Sequence, residues 1–186
     1  MFIHRFRKDK ILSDREYKNM SILNMLRRKG PIAKTDISRA ISLNIVTVSN
    51  YIENYIAKGL VFEKGLAVST GGRRPLLVEL NQDVKYVIGA GLTLTTISAV
   101  IINLGGKIIH SLSIERPFKT GDHVLREMFT LTEKLIRESG IATEKVSDIV
   151  LGISGVFDQK AKTVTTWDPV EQRHVALNIS FLEDFE

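Results

Sequence analysis

Apolar residues recur along this chain at two periods, and the change from one to the other falls near residue 81. Before it the spacing is mainly helical. Ser13 followed by Glu16 is a capping box that opens a helix reaching Lys29, with Tyr17, Met20, Leu23 and Leu26 as its expected buried stripe. Arg27, Arg28 and Lys29 suit the negative end of that helix, and Gly30-Pro31 stops it. A second helix lies in KTDISRAI, where Ile37, Ala40 and Ile41 share a face. The turn Ser42–Asn44 offers Leu43 to plug the angle between helices, and Asn44 is a good N-cap for the third helix, IVTVSNYIENYIAKG. There Val48, Ile52, Tyr55 and Ile56 form the packing face, while Ile45, Thr47, Ser49 and Asn50 lie opposite. Gly59 stands where a left-handed cap is wanted. Two β-leaning runs, LVFEKG and PLLVEL, flank the loop STGGRRP. Helix, tight turn, helix and a hairpin with Arg73 and Arg74 at its tip is the plan of a winged helix-turn-helix.

From Asn81 the period shortens. KYVIGAGL, TTISAVIIN and KIIHSLSIERP read as strands rich in Val and Ile, with Asn103–Gly106 as the hairpin between the last two. A helix over 122–139 carries Val124, Leu125, Met128, Leu131, Leu135 and Ile136 on its apolar face, and the buried strand VSDIVLGIS follows. The chain is thus expected to be α/β, with a head over 1–80 and a βββαβ body over 81–186.

Charge follows the same division. Residues 1–80 hold 15 Lys and Arg against 7 Asp and Glu, whereas 81–186 hold 11 against 14. A basic front and a mildly acidic rear predict that only the front meets a polyanion. Cysteine is absent, so disulfides and thiolate metal sites are excluded. His4, His110, His123 and His174 show no metal-ligand spacing, and no metal or cofactor is expected. No apolar run approaches the ~18 residues of a membrane span, and MFIHRFRKDKIL lacks the features of a signal peptide, so a cytoplasmic location is expected. Residues 1–12 read as a loose basic arm.

The stretches GPIAKTDISRAISLNIVTVSNYIENYIAKGLVFEKG and STGGRRPLLVELN resemble the DNA-binding head of the ROK family of repressors, which couple such a head to a sugar-kinase-like body. The resemblance implies a partial ribonuclease-H-like (actin-like ATPase) lobe for the βββαβ segment. It also implies that GISGVFD is the strand-end loop beside a sugar cleft, which nominates Ser154 and Gly155 for ligand contact. Trp167–Pro169 falls near the next cleft-lining loop. The resemblance places the Asn-Asp catalytic motif, the Glu-x-Gly-His sugar motif, the cysteine-rich zinc site and the second lobe beyond Glu186.

Three departures from the family pattern shape the expectations. Ala33 stands where the second helix should carry a Ser or Thr cap. The third helix has no Lys or Arg from Asn44 to Ala57, with Ile45 where a cation is usual. Gly91-Leu92-Thr93-Leu94-Thr95 replaces the D-x-G-G-T phosphate loop of the family's kinases, so both the carboxylate and the close backbone approach are lost.

The expected function is a sequence-specific repressor of carbohydrate genes, acting as a homodimer on double-stranded DNA, with no catalytic residues. A sugar effector would meet an incomplete cleft. The alternatives are a non-catalytic dimerisation module and, last, a sugar kinase. DNA contacts are expected from Lys34, Asn44, Ile45, Thr47, Ser49, Asn50, Arg73 and Arg74. Among these, Asn50 suits adenine and Ile45 or Thr47 suits thymine methyls, while the arginines suit a narrow minor groove.

Overall fold

The computed structural model describes residues 12–66, 74–116, 122–158, 160–169 and 171–178. The chain divides into two compact units, one over 7–84 and one over 85–186.

In the first unit, α1 (Asp14–Lys29) opens on the expected capping box. The Ser13 amide donates to Glu16 Oε2 at 3.0 Å and the Glu16 amide donates to Ser13 Oγ at 3.2 Å. The buried stripe differs from the expectation. Ile22 and Leu26 are buried, whereas Tyr17 and Met20 are 63% and 43% exposed. Strict spacing of three falls about 60° short of a full turn at each step, so four such residues spread around half the helix instead of sharing a face. Gly30 is required at the end, because a Cβ there would stand 2.6 Å from the Leu26 carbonyl oxygen.

Next come β1 (Ile32–Ala33), α2 (Lys34–Ala40), α3 (Ile45–Ala57), β2 (Val61–Leu66) and β3 (Leu76–Leu80). Ala33 gives α2 no side-chain cap, as its sequence predicts. The three strands form an antiparallel sheet in the order β1-β3-β2. α3 ends in a Schellman motif: Gly59 takes φ 69°, its amide donates to Ile56 O, and the Leu60 amide donates to Tyr55 O. Asn81 still belongs to this unit, since its amide donates to Leu60 O and its side chain to Gly59 O.

The second unit holds β4 (Tyr86–Leu92), β5 (Thr96–Asn103), β6 (Ile108–Glu115), α4 (Asp122–Ser139) and β7 (Val146–Ile153). A short 3-10 turn, Thr143–Lys145, precedes β7. The sheet order is β6-β5-β4-β7, antiparallel except for the parallel β4–β7 pair. Ile88, Ala90 and Leu92 alternate onto the face that carries Ile97, Ala99 and Ile101, and Leu125, Met128 and Leu135 of α4 join them in one core. Three further strands, β8 (Val156–Asp158), β9 (Thr163–Asp168) and β10 (Arg173–Asn178), form a second antiparallel sheet, from which Val164 and Leu177 enter the same core. Val156–Asp158 of GISGVFD and Trp167 thus fall in strands, whereas Ser154 and Gly155 stay in the link at the end of β7.

Candidate nucleic-acid interface

The turn between α2 and α3 is locked from within. Ser38 Oγ donates to Leu43 O at 2.6 Å, and the Leu43 amide donates to Ser38 O at 3.1 Å. Ser42 takes φ 53°, and Leu43 is half-buried. Asn44 caps α3 by accepting the Val46 amide at 2.8 Å, so its carboxamide NH₂ is the part left for a partner.

Val48, Ile52 and Tyr55 fix one face of α3 in the core. Opposite them stands a ridge of Val46 and Asn50, one helical turn apart, with Val46 63% exposed. Ile45 is 40% exposed, and Thr47 and Ser49 are half-buried on the two flanks. Sequence reasoning missed Val46, although taking Val48, Ile52 and Tyr55 as the helix's inner face puts Val46 nearly opposite.

Charges around α3 are distributed unevenly. Lys34, the first residue of α2, lies 3.8 Å from Glu53 of α3 and is one-quarter exposed. That acid occupies the Ser49 side of the helix. On the Thr47 side, Asn54 and Lys58 are exposed, and beyond them lies α1. Between α1 and α3 runs a groove of about 460 Å³, lined by Arg15, Asn19, Asn50, Tyr51, Asn54 and Lys58 among others. Its floor is Tyr55, whose hydroxyl donates to Asn19 Oδ1 at 2.5 Å. Burial, with a smaller contribution from Tyr51, pushes the Tyr55 hydroxyl above its ordinary pKa, so it remains a neutral donor. Arg74 is exposed next to Pro75 at the start of β3. Arg73 lies outside the described residues.

The site nominated in the second unit looks different in its chemistry. The turn after β4 closes on itself: Thr93 Oγ1 accepts the amides of Thr95 and Thr96, at 3.4 and 3.0 Å, and lies 2.8 Å from Thr96 Oγ1. Arg116 ties this turn down. Its amide donates to Thr95 O at 2.8 Å, its guanidinium reaches Thr93 O at 3.5 Å, and it pairs with Asp168 of β9 at 3.1 Å. The Arg116 and Asp168 side chains are 3% and 0% exposed. Ser154 and Gly155 are exposed between β7 and β8. The missing side chain of Gly155 makes room for β9, since a Cβ would stand 2.4 Å from the Thr165 carbonyl oxygen.

No family model matches the chain. It is 31% identical over 147 residues to the xylose repressor of Caldicellulosiruptor bescii, covering 78% of this chain and 37% of that protein. It is 30% identical over 149 residues to the xylose repressor of Bacillus spizizenii, covering 78% of this chain and 38% of that one. The chain therefore spans a little over a third of the length of these relatives. The crystal structure of a ROK family transcriptional regulator, a homologue of the E. coli MLC protein, superposes with a TM-score of 0.63 at 18% identity, over 90% of this chain and 42% of that one. That likeness shows a common fold, and the alignments to the named repressors, at 147 and 149 residues, are longer than either unit alone. The chain belongs to the ROK family of transcriptional repressors.

Proposed function

We propose that the chain is a DNA-binding repressor of sugar-related genes, with residues 12–84 as a winged helix-turn-helix. The observation that carries this reading is the exposed Val46–Asn50 ridge on a helix whose opposite face is locked in the core. α2, its closed turn and α3 supply the helix-turn-helix, and β2 and β3 supply the stem of the wing. Asn50 presents both a donor and an acceptor, as adenine recognition needs, and Val46 with Ile45 offers methyl groups to thymine. Lys34 acts indirectly, by neutralising Glu53 at the DNA face, and Arg73 and Arg74 reach the duplex from the wing. A homodimer would set two such helices in successive major grooves and exclude polymerase. The hydrogen bonds of Asn81 support a domain boundary at Val84 in place of Leu80.

We assign the rear unit to a partial ribonuclease-H-like lobe, supported by the β6-β5-β4-β7 order with its parallel β4–β7 pair. This lobe does not transfer phosphate. The amides that would cradle a phosphate are already accepted by Thr93 Oγ1, and Gly91 supplies no carboxylate. The relatives are named xylose repressors, so a pentose is the effector class to test. Ser154 offers one exposed hydroxyl at the strand end, which alone gives a sugar little burial.

A mobility-shift titration of the purified full chain on duplex DNA, beside a chain from which residues 1–84 are deleted, tests the reading. Binding by the full chain only, falling steeply with salt, is expected. Equal binding by the deleted form overturns it. Full-chain preparations that dimerise without binding any duplex would favour the interaction-module alternative.

A further inference from the structure

We propose that the groove between α1 and α3 is a second DNA contact, a track for the sugar-phosphate backbone of one strand, with Arg15 and Lys58 as its phosphate-binding cations. The inference rests on the winged-helix reading and adds a site on α1, an element outside the helix-turn-helix. Asn50 and Asn54 of α3 and Lys58 at its C-cap lie at intervals of four and therefore form one continuous ridge. From the first to the last the ridge runs about 12 Å, longer than a single phosphate and matched to a stretch of backbone. Arg15 faces the same groove from α1, and Tyr51 sets its hydroxyl there, 3.4 Å from the Arg15 carbonyl oxygen.

What marks the groove as a binding surface is that two cations and two carboxamides line it unspent. Among the described residues, Arg15 and Lys58 have no ion pair, and the carboxamides of Asn50 and Asn54 have no hydrogen bond. Elsewhere in the same unit, Lys18 pairs with Asp14, Lys34 with Glu53, Arg39 with Asp36 and Lys64 with Glu79, while Arg27, Arg28 and Lys29 at the end of α1 and Arg74 before β3 are, like Arg15 and Lys58, without an ion pair among the described residues. The acid that lines the groove, Glu16, is held by the Ser13 amide and hydroxyl at 3.0 and 2.8 Å, which draws it into the cap of α1. On the other flank of α3 the polarity reverses, with Glu53 beside Ser49. The helix is therefore asymmetric about its base-reading ridge. One flank attracts a phosphate strand directly, and the other is merely neutralised. This fixes which side of α3 meets which wall of the major groove, and it brings α1 along that strand.

The test uses the full chain, a mixed-sequence duplex of about 30 base pairs, and binding measured by anisotropy between roughly 50 and 200 mM salt. Each phosphate contact contributes about 0.9 to the slope of log affinity against log salt, so Arg15→Gln with Lys58→Gln should flatten the slope by about 1.8. The loss should be equal on all sequences. Asn54→Lys adds a cation to the ridge and should steepen the slope by about 0.9, a gain that misfolding cannot mimic. Arg137→Gln, an exposed change on α4, should leave the slope unchanged. If the wild-type chain binds and both the double variant and Asn54→Lys keep its slope, the groove is not a phosphate track, and the winged-helix reading stands without it. If the wild-type chain fails to bind any duplex, the reading and this inference fall together.

Discussion

The two units use polar chemistry in opposite ways. Around α3 the carboxamides of Asn50 and Asn54 and the cation of Lys58 are exposed on a rigid helix and left without partners among the described residues. At the turn after β4, by contrast, the polar groups bond to one another, with only Arg116 Nε buried without a partner among the described residues. Thr93 accepts the neighbouring amides, and Arg116 is buried against Asp168. A group already satisfied by its own chain offers little to a ligand, because binding would only exchange one hydrogen bond for another. The contrast separates a surface kept ready for a partner from one that has become scaffold, and it does so without reference to the residue types alone. Arginine occurs in both places.

The sharpest way to break this comparison is at Asp168. Asp168→Ala leaves the Arg116 guanidinium buried without its counter-ion and should cost about 3–5 kcal/mol, read as a lower urea midpoint of the full chain. An unchanged midpoint would mean that the pair is not structural. Gly155→Ala should also act through stability. Its Cβ must displace the Thr165 carbonyl, at a cost of about 1–3 kcal/mol by thermal or urea unfolding. A stable Gly155→Ala protein would reopen a ligand role for that glycine.

In the first unit the expected effects move from stability to binding. Asn50→Ala should leave unfolding almost unchanged while costing on the order of 1–3 kcal/mol at one base pair of a preferred site. Equal losses on preferred and random duplexes would remove Asn50 as a base reader. The smallest effect belongs to Glu53→Gln. It releases Lys34 and removes an acid from the DNA face, so affinity for any duplex should rise, by a few tenths of a kcal/mol up to about 1 for an exposed pair. Weaker binding by Glu53→Gln would place Glu53 in contact with DNA bases instead.

Most of the architecture was legible because local signals carried it. Ser13 with Glu16, Asn44 before an amphipathic run and Gly59 after it each fix a helix end through bonds made within a few residues. The Val and Ile content of TTISAVIIN likewise marked β5 as a strand, while which side of it is buried emerged only in the structure. The face of α1 was misjudged because apolar residues at strict spacing of three look like a stripe but wind around the helix. β9 and β10 carried a usable signal: TVTTW is wholly β-branched or aromatic, RHVALN holds an apolar run, and a polar turn separates them. The family loop pattern covers Ser154 and Trp167 and does not predict that hairpin. Arg116–Asp168 had no such signal. Its members are distant in sequence, and only the meeting of β6 and β9 brings them together. The α1–α3 groove was hidden for the same reason, since Arg15 and Lys58 line one cleft only after α1 and α3 meet, as the Tyr55–Asn19 hydrogen bond shows.

The central claim is that α3 reads base sequence, and selection from a pool of random duplexes by the full chain tests it most directly. The account predicts enrichment of one preferred site, read in two equivalent halves by a dimer, and a relaxed choice at a single position of each half when Asn50→Ala is selected in parallel. A pool that emerges unenriched, or an Asn50→Ala chain that selects the same site with the same stringency, would contradict it.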